Sequence, residues 1–561
     1  MSLSMPRPTQ GQPFRKAAFL VFAFTWAVLF CLYFPAAKAG FVVDFTGWLD
    51  QVKNQSFLDY INRTNFSVKS LYQVTQLFSW LFYKALGTNA WGWHLLFISL
   101  HAINAALLFG FIRHLLDISG VENGGAVAFS ASFLFSICPH ISEVIVWEPS
   151  LHYLLGLLMI LSILLSVKKW FDTGYKGYCY LCLAIYFLSV FSLEYFYLTP
   201  LLVLSYIIYR NNVDTGTYKN RATWQIVMPM LTILLLRVLL FRFLYHDWVS
   251  RTGSEVFSTG WSGFAAKPLK YIFHLIFFGR YWAEEYRQKA YALCESAKAL
   301  YSFYIVFILL VGVYFWFFKK LNGRLRLAGL LLGWTALSTA LVSPMWFPET
   351  MLLTMDRYAY LVLSFGFVFL AVMLGFLNRK VALSVLVVYS LINIGFTIKL
   401  NHYWQQSAIL TDRLLRSFPE PGNRITLLLN LPETMNGIPM IGASNHGEYK
   451  LMHNLLHANP IKPPVHDVAS FNMTNQWNGA HVIVVNDSTV KVTLNQWGTW
   501  WWRNGQGATD FENEDYKLYM RDVGHWYDLV LKKPANSYQL LYLNDGQWKE
   551  VDMSEKVEIQ D

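Results

Sequence analysis

Ionisable residues are sparse in this chain, and the ones that could do chemistry cluster at the ends of apolar runs. Asp44 stands alone in GFVVDFTGWLDQVKNQSFLD, just past the first apolar run, with Asp50 and Asp59 behind it. His140 and Glu143 occur in CPHISEVIVWEPSLHYLL, with Glu148 and His152 close by. Glu194 lies in SLEYFYLTP. Arg280, Glu284, Glu285 and Arg287 follow the apolar stretch 269–278, and Asp356 and Arg357 open another apolar run. Ionisable groups at membrane depth are costly and usually face a cavity, which makes each a functional candidate. Charges at helix ends can instead reach out to water, the plainer reading for Glu284, Glu285 and Arg287. The i,i+3 spacing of His140 and Glu143 could form half of a metal site, although no second dense pair accompanies it. His94 and His101, seven apart on one face, read as bundle hydrogen-bonders.

The elements that position these residues are apolar. Of 561 residues, 55% are hydrophobic and 14% charged, well below the charge fraction of a soluble domain. At ~20 apolar residues per span, about eleven transmembrane helices are expected. They fall near 17–37, 91–113, 125–141, 150–167, 177–193, 196–209, 224–244, 303–318, 327–345, 358–376 and 381–398. The first is too long for a signal-peptide core and reads as a retained anchor. Basic loops follow the fourth, sixth, eighth and tenth, so the net charge of +10 reflects orientation and not nucleic-acid binding. This places the N-terminus in the cytoplasm and the acidic sites above outside it. Residues 46–86 carry apolar residues at helical spacing (Trp48, Leu49, Val52, Phe57, Leu58, Leu71, Val74, Leu77, Phe78, Leu81). They suggest interfacial helices, or packing against the bundle. Cys179 and Cys182 form a CxxC without a second pair and read as small core residues.

Beyond residue 400 the composition shifts towards Asp, Asn, Gly, Pro and Trp. ITLLLNLP, HVIVVND, VKVTLNQW and YQLLYL are strand-like, with turn residues between them. The expected fold is a polytopic α-helical membrane protein with a C-terminal mixed or mostly β soluble domain. Residues 1–16 form a basic cytoplasmic terminus and 17–400 the membrane domain, with outer loops 38–90 and 245–302. Residues 401–561 form the outer soluble domain. No P-loop, GxGxxG, HExxH or GxSxG occurs in its required context, which argues against nucleotide-driven chemistry.

Four segments in order, WGWHLLFISLHAINAALLF (91–109), ICPHISEVIVWEPSLHYLLGLLMILSILL (137–165), SLEYFYLTPLLVL (192–204) and MDRYAYLVLSFGFVFL (355–370), resemble the multispanning GT-C glycosyltransferases. The likeness is greatest to the transmembrane-and-tetratricopeptide-repeat O-mannosyltransferases and their bacterial relatives. Cys138-Pro139-His140, Glu143 and Trp147 resemble that family's His-Pro, Glu, Trp element with Pro and His exchanged. Asp356-Arg357-Tyr358 matches its acidic-Arg-Tyr element. Asp44-Phe45 stands where the family has an acidic pair. Lys69 stands where it has Arg, and Leu193-Glu194 where it has Lys-Glu. The tetratricopeptide repeats are absent.

The resemblance implies transfer of a sugar from a polyprenyl-phosphate donor to an acceptor hydroxyl on a protein, lipid or glycan, at the outer face of a bacterial inner membrane. Asp44 would be the general base of an inverting displacement. Glu143 would orient the acceptor or bind a metal. Arg357, Arg280 and Lys69 would hold the phosphate, with His140, Glu194 and Asp356 in the substrate site. The pattern fixes no cofactor and leaves room for a divalent metal. The partners implied are the lipid-linked donor, the acceptor and the bilayer, with no nucleic acid. A transporter or flippase of a lipid-linked or polar substrate is the alternative, against which the chain shows no inverted-repeat symmetry. A scaffold that merely anchors the outer domain would leave the one-sided carboxylates without a role.

Overall fold

Apolar runs, three of them opened by asparagine caps, fold into helices over most of the described residues up to Arg416. The computed structural model describes residues 11–38, 40, 45–61, 71–213, 223–248, 261–318, 320–343, 356–419, 422–441, 448–456, 464–495, 501–502, 510–521 and 526–554. The helices that matter for the site are α1 (Gly11–Tyr33), α2 (Phe45–Asn54), α3 (Gln73–Leu86), α4 (Ala90–Ile118), α5 (Gly124–Ser136) and the short α6 (Ser142–Val146). They continue with α7 (Leu151–Thr173), α8 (Lys176–Ser189), α9 (Thr199–Val213), α10 (Met228–Tyr245) and α11 (Trp261–Ile276). Then come α12 (Glu284–Glu295), α13 (Ala297–Phe317), α14 (Gly323–Val342), α15 (Ala359–Leu374) and α16 (Arg379–Arg416). The side chains of Asn89, Asn322 and Asn378 accept backbone N–H groups at the starts of α4, α14 and α16.

The protein is a polytopic helical membrane protein with a C-terminal strand-rich domain. Among the described residues, eight helices are long and apolar enough to cross a membrane, or nine if the bent pair of α5 and Pro139–Val146 is one span. Eleven were expected. Helices α8 and α9 form where the fifth and sixth spans were placed, but at 14 and 15 residues they fall short of a full crossing.

Spans α4, α7 and α15 make the centre, with 67–78% of their apolar windows buried in protein. One polar knot ties them together. The Tyr360 hydroxyl lies 2.7 Å from His101 Nδ1, and Asn104 Nδ2 donates to it at 3.1 Å and to the Leu154 carbonyl at 2.9 Å. Because Tyr360 sits one turn into the span headed by Asp356, this knot fixes where that residue lies. Helix α13 is the opposite case: none of its apolar window is buried in protein. Lipid, not protein, is the solvent that suits such a surface. At the far end of α7 from the site, Arg210 donates to Asp172 at 3.0 Å and lies 3.1 Å from His114 Nε2. The C-terminal ends of α4, α7 and α9 thus meet there.

Helix α2 buries Leu49 and Val52 completely and packs against the strand-rich domain's helix α17 (Glu448–Leu456). Its apolar face is therefore turned to protein, while Leu58, Leu77 and Leu81 point outwards. Cys179 and Cys182 are buried free thiols.

Strands β1 (Ile425–Leu428), β2 (Leu431–Met435), β3 (Ile438–Pro439), β4 (Val465–Asp467), β5 (Ser470–Met473), β6 (Ala480–Asn486) and β7 (Thr489–Leu494) begin the strand-rich domain. They are followed by β8 (Trp501–Trp502), β9 (Phe511–Glu512), β10 (Tyr516–Arg521), β11 (Trp526–Leu531), β12 (Tyr538–Asn544) and β13 (Gln547–Glu550). Three sheets result, in the orders β13-β12-β1-β4, β6-β7-β11-β10-β9 and β3-β2-β5-β8. The middle one is wholly antiparallel; β1 pairs in parallel with both β12 and β4. The expected boundary near residue 400 is crossed by helix. Helix α16 continues to Arg416, and its Leu410, Leu414 and Leu415 join the strand domain's core.

Asp515 sits in this domain with Lys533 Nζ at 2.6 Å and His466 Nε2 at 2.8 Å. Partial burial works against its charge, but the neighbouring ammonium outweighs this and holds the carboxyl below its ordinary range. An acid with a depressed folded pKa adds stability above its unfolded pKa, and that stability is lost as pH falls through the folded value. Asp515→Asn is therefore expected to flatten the acid limb of the thermal-stability profile below about pH 4. Melting curves of the full chain across pH check this; an unchanged acid limb would refute it.

Candidate functional site

Three chain breaks deliver the ionisable residues to one place. Helix α5 stops at Ser136, and Pro139, whose ring cannot continue the previous turn, restarts the chain at a 55° bend. The turn Pro139–Ile141 and α6 then carry His140 and Glu143. Helix α11 carries His274 and stops at Ile276. Phe278 adopts φ 54°, a left-handed conformation costly for a bulky residue, and so turns the chain back to present Arg280. Gly279 belongs at this turn: a Cβ there would come within 3.1 Å of His274 Nδ1 and 3.2 Å of its backbone. The turn Asp356–Tyr358, at the head of α15, supplies Asp356 and Arg357.

Asp356 is the centre. Its Oδ2 lies 3.1 Å from His140 Nδ1 and accepts from Arg280 Nη1 at 3.1 Å, while its Oδ1 lies 2.8 Å from His274 Nε2. All four residues are at most 7% exposed. Beside them Glu143 pairs with the Arg357 guanidinium and accepts the Arg357 backbone N–H at 3.1 Å. The same guanidinium stacks on Trp147, 4.6 Å from the ring centre. Burial pushes the His274 imidazole below its ordinary pKa despite the nearby carboxylate. Burial also disfavours the charge of Arg280, but Asp356 more than offsets it and the guanidinium stays protonated. Two carboxylates and two guanidiniums then sum to no net charge, as a buried cluster requires.

The structure therefore brings together His140, Glu143, Arg280, Asp356 and Arg357. Glu194 belongs to another group: both its oxygens accept from the Tyr72 hydroxyl, at 2.8 and 2.7 Å. Nearby, Arg237 stacks on Tyr197. Asp44 and Lys69 lie outside the described residues; Asp44 immediately precedes α2 in sequence. Asp59 is exposed and accepts from Ser56 at 2.6 Å, and Glu285 pairs with Lys289 on an open surface. Glu148 is buried, and neither of its carboxylate oxygens has a hydrogen-bond partner among the described residues. His274 is the member of this cluster that sequence reading misses. It sits in the stretch 269–278, whose apolar character masks the ionisable group at its centre, although such a group is itself the signal.

The strand-rich domain reaches the cluster. Arg280 Nη2 donates to the Gly437 carbonyl at 3.3 Å, at the tip of the β2–β3 hairpin. Asn436 and Gly437 both have positive φ, at 51° and 74°, as a two-residue hairpin turn demands. The next residue, Ile438, is buried in the core of the helical domain and not in that of the strand domain. Gly437→Val puts a β-branched residue in a left-handed conformation. It is expected to destabilise the protein by about 1–3 kcal/mol and to loosen Arg280. Asn436→Gly, which suits the turn, should be close to neutral. Equal melting temperatures for wild type and Gly437→Val would contradict this.

The chain matches no family model and no curated protein sequence. Among solved structures, it is similar to the crystal structure of ArnT from Cupriavidus metallidurans bound to undecaprenyl phosphate. The match has 11% identity, a TM-score of 0.39, and coverage of 81% of this chain and 92% of that one.

Proposed function

We propose that this protein is a membrane glycosyltransferase that moves a sugar from a polyprenyl-phosphate donor to an acceptor hydroxyl outside the cytoplasm. The observation that carries this reading is the meeting of Arg280, Arg357, Asp356 and Glu143 from three separate segments in one buried cluster. A lipid-linked phosphate needs cations in a low-dielectric setting, and arginine suits its geometry. A guanidinium carries five N–H donors, more than one carboxylate uses, so a phosphate can share it. Lys69 is a further cation for this phosphate.

The acceptor hydroxyl loses its proton as it attacks the anomeric carbon, and the leaving group departs as polyprenyl phosphate. Attack opposite the phosphate inverts the anomeric centre. Asp44 is the base in this reading. Its support is its place in the sequence, just past the first span and immediately before α2, which packs on the strand-rich domain. Glu143 holds Arg357 from two directions, through its side chain and its backbone, and so positions the phosphate-binding group.

The decisive assay uses the full chain in lipid nanodiscs with a panel of polyprenyl-phosphate hexoses and protein, lipid or glycan acceptors. Release of polyprenyl phosphate that depends on acceptor supports the reading. No release from any lipid-linked donor, together with substrate flux in proteoliposomes, would replace it with a transporter.

A further inference from the structure

The two imidazoles of the cluster do nothing in the transfer reaction as described. We propose that His140, His274 and Asp356 bind a divalent transition-metal ion of the zinc class, at a buried three-ligand site with one open position. Their ligand atoms all lie within 4.8 Å of one another, and all three residues are buried. They come from three different segments, so no helical periodicity explains their meeting.

The spacing suits an ion. Zinc bonds of about 2.0–2.2 Å in a tetrahedron put neighbouring donor atoms roughly 3.3 Å apart. His140 Nδ1 and His274 Nε2 stand 3.1 and 2.8 Å from the two carboxylate oxygens. Small side-chain shifts would admit the ion.

Two details favour ligation over plain hydrogen bonding to Asp356. First, the carboxylate already has the Arg280 guanidinium as its counter-charge at 3.1 Å. Second, His140 Nε2 is buried with no hydrogen-bond partner among the described residues, while the ring's other nitrogen faces Asp356. On the other ring, His274 Nδ1 lies 3.2 Å from the Tyr291 hydroxyl. Such an outer partner fixes the tautomer whose Nε2 carries the ligating lone pair. Two imidazoles and one carboxylate suit zinc and its first-row neighbours; magnesium and calcium prefer all-oxygen sites. The four charged side chains of the cluster already sum to zero, so the ion brings two uncompensated positive charges. An anion in the open position would balance them, which makes this the place where a donor phosphate and the ion would meet.

The test measures metal and needs no substrate, so its failure and that of the transferase reading are separable. The full chain is purified, stripped with chelator, reloaded with zinc, dialysed and analysed by elemental mass spectrometry. A stoichiometric ion is expected in wild type and in His402→Ala, an exposed control. Background levels are expected in His274→Ala and Asp356→Asn. Wild type at background, or an ion retained in both folded variants, would overturn the site. Should the variants not fold, cobalt-loaded wild type decides. Intense tetrahedral d–d bands without a thiolate charge-transfer band support it, and the weak spectrum of hexa-aquo cobalt overturns it.

Discussion

Glu143→Ala should cost about 3–5 kcal/mol of stability, the usual result of removing one partner from a buried ion pair. The magnitude follows from what is left behind. Arg357 keeps its charge in a site where Glu143 is its ion-pair partner and the Trp147 ring covers one face. Its backbone N–H also loses the acceptor at 3.1 Å. Glu143→Gln retains an acceptor for that N–H and should cost less. The double variant Glu143→Gln, Arg357→Gln removes both charges and should recover part of the loss, the signature of coupled neighbours. Transfer should fall about a hundredfold in Glu143→Gln, because a displaced guanidinium no longer meets the phosphate where the reaction needs it. Melting temperature and turnover of wild type, Glu143→Ala, Glu143→Gln, Arg357→Gln and the double variant, measured in the same nanodiscs, give both numbers. Additive effects of the two substitutions would show that the pair is not the unit we describe.

Asp44→Asn should lower transfer by about 10²–10⁴-fold, the range supplied by a positioned general base. Melting temperature should hardly move, since asparagine keeps the shape and loses only the basicity. Asp50→Asn and Asp59→Asn should leave transfer near wild type. Asp59 is exposed and its carboxylate is engaged by Ser56. Transfer that survives in Asp44→Asn, or that is lost equally in all three, would remove Asp44 from the mechanism.

The site was legible in sequence to the extent that charge stood out against apolar surroundings. His140, Glu143, Asp356 and Arg357 each interrupt or open an apolar run, and Arg280 closes one. Which of them would touch was not legible, because the pairs Glu143–Arg357 and Arg280–Asp356 join residues far apart in the chain. Glu194 shows the limit: the same local signal leads it to Tyr72 instead. His274 was hidden because periodicity and hydropathy average over a window, and one imidazole among Phe, Ile and Leu hardly shifts that average. Helix α16 was cut short for the opposite reason. Past residue 400 its polar residues read as a new domain, yet Leu410, Leu414 and Leu415 continue one helical face. The hairpin at Asn436-Gly437 carried a plain turn signal; only the fold shows that it ends on Arg280.

Helix α16 has 38 residues, about 57 Å of rod against a hydrocarbon layer of about 30 Å. The surplus is not a tether. Tyr449 and Trp548 both donate to the Leu414 carbonyl near its end, clamping the strand domain to the shaft. Torque applied to the strand-rich domain therefore passes into the membrane-spanning part of the shaft without slack. The hairpin on Arg280, the burial of Ile438 among the helices and the packing of α2 on α17 tie the two halves a second time, so a glycine hinge placed in α16 alone would not decouple them.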